Sequence, residues 1–230
     1  MRRLSVFSLL AVFLFSSLAG AEILKSERDL IAIVNLSILK HGQWHYRYEE
    51  GRAIKKIMRE LGGKYREVHL LKGSGANHDA FLATLASTEA NPAVKAIDVI
   101  IYLHGHPGEL GFVDTGFYPM DRLRDEVLAL PNANERKLRV LYSDACYGAS
   151  HMDDWVRAGF LAAAGSVGSD SNWSLDLEKF MVAWRKGKTF GKGIDQANSV
   201  WATKWMDKIE NGNSTKLTKG AVEFKIDQAP

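Results

Sequence analysis

Five short apolar runs set the frame: DLIAIVNL (29–36), REVHLL (66–71), AIDVIIYL (96–103), KLRVLYS (137–143) and FLAAAGSVG (160–168). Between them, apolar residues return every three or four positions, the spacing of a helix with one buried face. Ala53, Ile54, Ile57, Met58 and Leu61 form one such set, stopped by Gly62-Gly63. Asn77 is placed to cap a second helix carrying Phe81, Leu82 and Leu85, and MDRLRDEVLAL reads as a third, ended by Pro131. Met152, Trp155 and Val156 mark a fourth, Phe180, Met181 and Trp184 a fifth, and a long helix is expected through Ile194, Ala197, Trp201 and Trp205. AVEFKI (221–226) alternates like a sixth strand. Strands apolar on both sides, with helices between them, are the mark of a parallel sheet covered on both faces. The expectation is therefore an α/β fold built on a mostly parallel six-stranded sheet, with SILKHGQWHYRYEE as a polar loop and HGHPGELGFVDTGFYP as a loop with a small hairpin.

The first 21 residues are expected to be a cleaved export signal. Arg2 and Arg3 precede an apolar stretch, and Ala19-Gly20-Ala21 supplies the small residues of a cleavage site. Residues 22–230 then form one domain, exported to the periplasm or secreted, with no stable membrane insertion after cleavage. Its 30 basic and 27 acidic residues are interspersed, so the chain lacks the electrostatic footprint of a nucleic-acid binder. Against that background the single cysteine, Cys146, stands out. An exported protein usually pairs its thiols, and an unpaired one marks either a reactive group or a small buried side chain.

In open α/β sheets the ligand site lies at the carboxyl ends of the strands. The third strand ends in Leu103-His104-Gly105-His106 and the fourth in Ser143-Asp144-Ala145-Cys146-Tyr147-Gly148. If these strands are neighbours, His104 and Cys146 emerge side by side. Imidazole is the usual base for a thiol nucleophile. The backbone N–H groups of Gly105 and Cys146 are then placed to hold an oxyanion. Asp144, two positions before the cysteine, is expected on the same side of its strand.

An apolar strand ending in His-Gly, followed 42 positions later by the cysteine of a second strand ending in Ala-Cys, resembles the caspase-like cysteine peptidases, among them caspases, legumain, clostripain and the gingipains. DVIIYLHG and RVLYSDAC carry the likeness, and DACYG is similar to the Gln-Ala-Cys-x-Gly of caspases with Asp in place of Gln. The resemblance implies a three-layer caspase-like fold and an endopeptidase working through His104 and Cys146 alone, with no metal or other cofactor and with peptides or proteins as partners. It implies a pocket role for Asp144. Tyr46-Arg47 resembles a Tyr-Arg pair of legumain, which gives Arg47 a place in the same pocket. GSDSNWS (168–174) resembles a Ser-Ser-Tyr stretch bordering it, which adds Ser171 and Asn172. Asp144 alone would favour Arg or Lys before the scissile bond, Arg47 alone Asp, and the two together the amide of Asn. The order of expectation is Asn, then Arg or Lys, then Asp.

Two other readings stand beside this one. His104-x-His106, with Asp144 as a third ligand, is a pattern that a metal-dependent hydrolase also uses. A non-catalytic module would keep the dyad and hold peptides without cutting them. A serine hydrolase of the G-x-S-x-G type has no matching stretch.

Overall fold

A computed structural model describes residues 22–36, 44–131, 136–170 and 174–230. The expected signal segment, and the expected site residues Ser171 and Asn172, lie outside the described residues.

Each apolar run becomes a strand of one sheet. β1 (Arg28–Asn35), β3 (Ala96–Leu103), β7 (Leu138–Ser143) and β8 (Ala162–Ser166) are buried along their whole length, as strands covered on both faces must be. β2 (Glu67–Lys72) is half-exposed at one edge, and β9 (Lys216–Gly220) closes the other. The order is β2-β1-β3-β7-β8-β9, with every pairing parallel except β8–β9. The sixth strand is thus KLTKG, just upstream of the expected AVEFKI. Its pattern is that of an antiparallel edge strand: only Lys216 is buried, while Leu217 to Gly220 face solvent. Val222, Phe224 and Ile226 alternate for a different reason, since Phe224 and Ile226 pack into the core as a non-strand segment.

Strand alternation sorts the core into two layers. Ile31, Ile33, Ile97 and Val99 face α2 (His78–Ala90), α3 (Met120–Leu128) and α4 (Met152–Arg157). Leu30, Ala32, Val34, Ile100 and Tyr142 face α1 (Trp44–Leu61), α5 (Leu175–Arg185) and α6 (Phe190–Asn198). Asn77 caps α2 as expected, accepting from Ala80 N at 2.7 Å. The expected long C-terminal helix is two helices, α6 and α7 (Trp201–Glu210), because Val200 is extended. The Asn198 side chain exchanges hydrogen bonds with the backbone of Lys216 at 2.7 and 2.9 Å, which ties the end of α6 to β9.

One further difference, and one expected hairpin, bear on the site. The polar segment after β1 is helical from Trp44 onward, so Tyr46 and Arg47 sit in the first turn of α1 and not in a loop before it. The glycine-rich stretch after β3 forms a small antiparallel sheet of β4 (Gly105–His106), β5 (Glu109–Phe112) and β6 (Gly116–Pro119). Among the described residues no helix is long and apolar enough to cross a membrane.

Candidate active site

The chain runs from β1 through α1 outward to β2, then returns across β1 to β3, so the connection direction reverses between β1 and β3. The crevice at such a reversal is where α/β sheets bind ligands. His104 spans it: its Nε2 lies 2.7 Å from the carbonyl oxygen of Leu36, the residue after β1. A carbonyl only accepts, so Nε2 carries the proton and Nδ1 keeps the lone pair in the neutral ring. Burial holds the imidazole below its ordinary pKa, with the Leu36 bond working the other way. The His104 and Tyr46 rings meet edge to face at a centroid distance of 5.2 Å.

β3 and β7 are hydrogen-bonded neighbours, and so His104 and Cys146 leave the sheet at the same edge. Gly105 measures how close the two strand ends come. A Cβ there would lie 2.4 Å from the carbonyl oxygen of Cys146 and 3.1 Å from Cβ of Ala145, which leaves room for glycine alone. The Gly111 N–H donates to His104 O at 2.9 Å, making that pair the hydrogen-bonded one of the hairpin. Bonded and non-bonded pairs alternate along an antiparallel ladder, and the next pair is Gly105 with Leu110. The Gly105 N–H therefore points away from β5.

Cys146 is half-buried and is the one free thiol of the chain. Its sulfur accepts the Asp170 N–H at 3.3 Å and lies 3.8 Å from both Ser169 Oγ and Asp170 O. Burial pushes the thiol up, and the Asp170 N–H draws it back. No hydrogen bond joins His104 to the sulfur; the two share the crevice with Tyr46, whose phenol pKa is raised by burial and then by Cys146. After the cysteine, Tyr147 takes a left-handed conformation at φ 56°, a cost of about 1 kcal/mol for a residue with a side chain. Tyr147 N–H donates to Gly168 O at 2.8 Å and Gly148 N–H to Ala145 O at 3.1 Å, and these bonds hold the turn. It is seated on β8 by glycine against glycine, since a Cβ on Gly165 would lie 2.2 Å from the carbonyl carbon of Gly148.

The remaining expected residues separate. Asp144, just past the end of β7, is fully buried, with Oδ1 2.7 Å from Nζ of Lys216. In this arrangement it meets an internal lysine and offers no surface to a substrate. Asp170 and Asp176 share the same ammonium, Asp176 at 2.7 Å. Burial first, and repulsion from Asp176 next, hold Asp144 well above the usual carboxylate range. Arg47 is exposed on α1. His106 is exposed and packs against Phe117 at a centroid distance of 4.1 Å. Among the described residues, the three clusters of potential metal donors are Asp29/Glu67/His69, His78/Asp79/Asp114 and Asp144/Asp170/Asp176, and none includes His104 or His106.

Four participants escape a reading of the sequence. Leu36 acts through its carbonyl and Ser169 and Asp170 lie at the start of a stretch noticed for its neighbours. Lys216 sits in KLTKG, which looks like any solvated edge strand.

A six-stranded, mostly parallel sheet with helices on both faces matches a caspase-like fold. Among solved structures the chain is similar to the Arg-specific cysteine proteinase gingipain R, with a TM-score of 0.57 and 13% identity over 92% of this chain. That match takes in 51% of the other chain, so this protein spans about half the length of its structural neighbour. No family model matches the chain, and no curated protein does.

Proposed function

We propose that this protein is a cysteine endopeptidase in which Cys146 is the nucleophile and His104 the base. The observation that carries the reading is the convergence at one sheet edge: Gly105 pressed against the Cys146 carbonyl, and the His104 tautomer set by Leu36 O. The likeness in fold to a cysteine proteinase supports it. In this mechanism the Cys146 sulfur attacks the peptide carbonyl carbon as its proton passes to Nδ1 of His104. Among the described residues the Cys146 N–H donates to no protein acceptor, and it joins the Gly105 N–H in holding the oxyanion. The C–N bond breaks as His104 returns the proton to the leaving amine. Water, deprotonated by His104, then releases the acyl group and restores the thiol.

The pocket preference follows the accessible charge. With Asp144 sealed behind Lys216 and Arg47 exposed, the accessible guanidinium favours the carboxylate of Asp, and after it Asn through donation to its amide oxygen alone, over the Arg named for gingipain R. Ser171 and Asn172 are the proposed neighbours of that pocket. Residues 1–21 are proposed to be removed on export, leaving residues 22–230 as the mature enzyme. One mass-spectrometric experiment reads these proposals together. Protein recovered from an exporting host should have lost residues 1–21. It should gain one peptidyl adduct on Cys146 from an Asp-directed acyloxymethyl ketone, and His104→Ala should abolish the adduct. Labelling independent of His104 would contradict the dyad.

A further inference from the structure

The dyad leaves one feature of the site without a role. Asp144, Asp170 and Asp176 are buried around the single ammonium of Lys216, itself fully buried. Ser166 Oγ donates to the Asp170 carboxylate at 2.5 Å, and Lys216 Nζ reaches Ser214 O at 3.4 Å. Burying ions costs several kcal/mol each, and an arrangement of this kind is weak evidence for stability alone.

The three carboxylates belong to three different segments. Asp144 leaves β7 two residues before Cys146; Asp170 follows β8 and puts its N–H on the Cys146 sulfur; Asp176 opens α5. Backbone bonds prolong the tie, from Val167 N to Thr215 O, Gly168 N to Asn213 O and Asn213 N to Ser169 O, at 2.9 to 3.0 Å. The loop that touches the sulfur is thus clamped between the cysteine turn and the segment leading into β9.

We propose that Lys216 is a positioning residue for Cys146: its ammonium gathers Asp144, Asp170 and Asp176 and thereby keeps the Asp170 N–H on the sulfur. Among the described residues the titratable groups that act on that sulfur are Tyr46 from α1, Asp170 and Lys216, and Glu210 at the end of α7 acts in turn on Tyr46 and Asp170 and faces His45. Among these described groups Lys216 is the cation at neutral pH. Burial by itself would lower its pKa; the three carboxylates outweigh that and raise it, so it stays charged. Without it, the thiol faces uncompensated carboxylates and a loop free to shift.

The test is the pH profile of Cys146 alkylation by iodoacetamide, which needs no substrate and reports on a single thiol. Its result therefore stands or falls separately from the peptidase reading. For Lys216→Met the profile should move up by at least roughly one pH unit, and alkylation near neutral pH should slow about tenfold. Should that variant fail to fold, Lys216→Met with Asp144→Asn and Asp176→Asn removes most of the repulsion and leaves Asp170 without its cation. The same upward shift is expected there, with near-ultraviolet circular dichroism preserved. An unchanged profile in either folded variant would overturn the proposal. So would failure of both to fold, which would make Lys216 a requirement of the fold as a whole.

Discussion

At the scale of single residues, two buried histidines set how the site responds to acid. His104 Nε2–H donates to Leu36 O, and His151 Nε2–H to His106 O at 2.8 Å, while among the described residues Nδ1 of His151 has no partner. Burial holds both rings below the ordinary imidazole value of 6.5. A depressed folded pKa means that protons bind the unfolded chain more readily. Their contribution to stability is therefore complete above about pH 6.5 and is lost as pH falls through the lower folded values, at up to about 1.4 kcal/mol per pH unit for each ring. His151→Gln keeps a donor for His106 O and cannot titrate. The stability difference between wild type and His151→Gln should shrink on acidification from pH ~7 to ~5. A difference that stays constant would show that His151 is not held neutral by the fold.

At the scale of elements, the floor of the sheet is fixed by a second buried pair. Arg139 on β7 meets Asp98 on β3 with two bonds of 2.6 and 2.9 Å. Asp98 also accepts from Tyr65 OH at 2.5 Å, and Tyr65 from Trp184 Nε1 at 2.9 Å. The other guanidinium nitrogen of Arg139 binds Ile226 O and Gln228 O, which fastens the segment after β9 beneath the strands. Arg139→Met would leave Asp98 buried without its cation and should cost about 3–5 kcal/mol in urea unfolding. A loss below about 1 kcal/mol would mean that water reaches the pair. Periodicity made these strands legible because they are apolar on both sides. It passed over β9, where one buried lysine among exposed residues carries no hydrophobic signal. It also missed the start of α1, whose first turns present Trp44, Arg47 and Tyr48 to solvent and bury little until Ala53.

At the scale of the whole molecule, the candidate site follows from strand order. Placing β3 beside β7 brings together two motifs 42 residues apart, and the reversal between β1 and β3 supplies the carbonyl that sets the His104 tautomer. The histidine and cysteine were legible because each is a chemical type at a strand end. The state of Asp144 was not, because a carboxylate before a cysteine reads the same whether it faces substrate or a lysine from a strand 72 positions later. The central claim is that this edge hydrolyses peptides through Cys146. Its most direct test is turnover by the reduced mature protein of peptides carrying Asn, Asp, Arg or Lys before a reporter, compared with Cys146→Ala. The account predicts cleavage after Asn or Asp, falling by at least about a thousandfold in a Cys146→Ala protein that keeps its fold. Hydrolysis that survives in Cys146→Ala, or no cleavage of any of the four by protein with its thiol confirmed reduced, would contradict it.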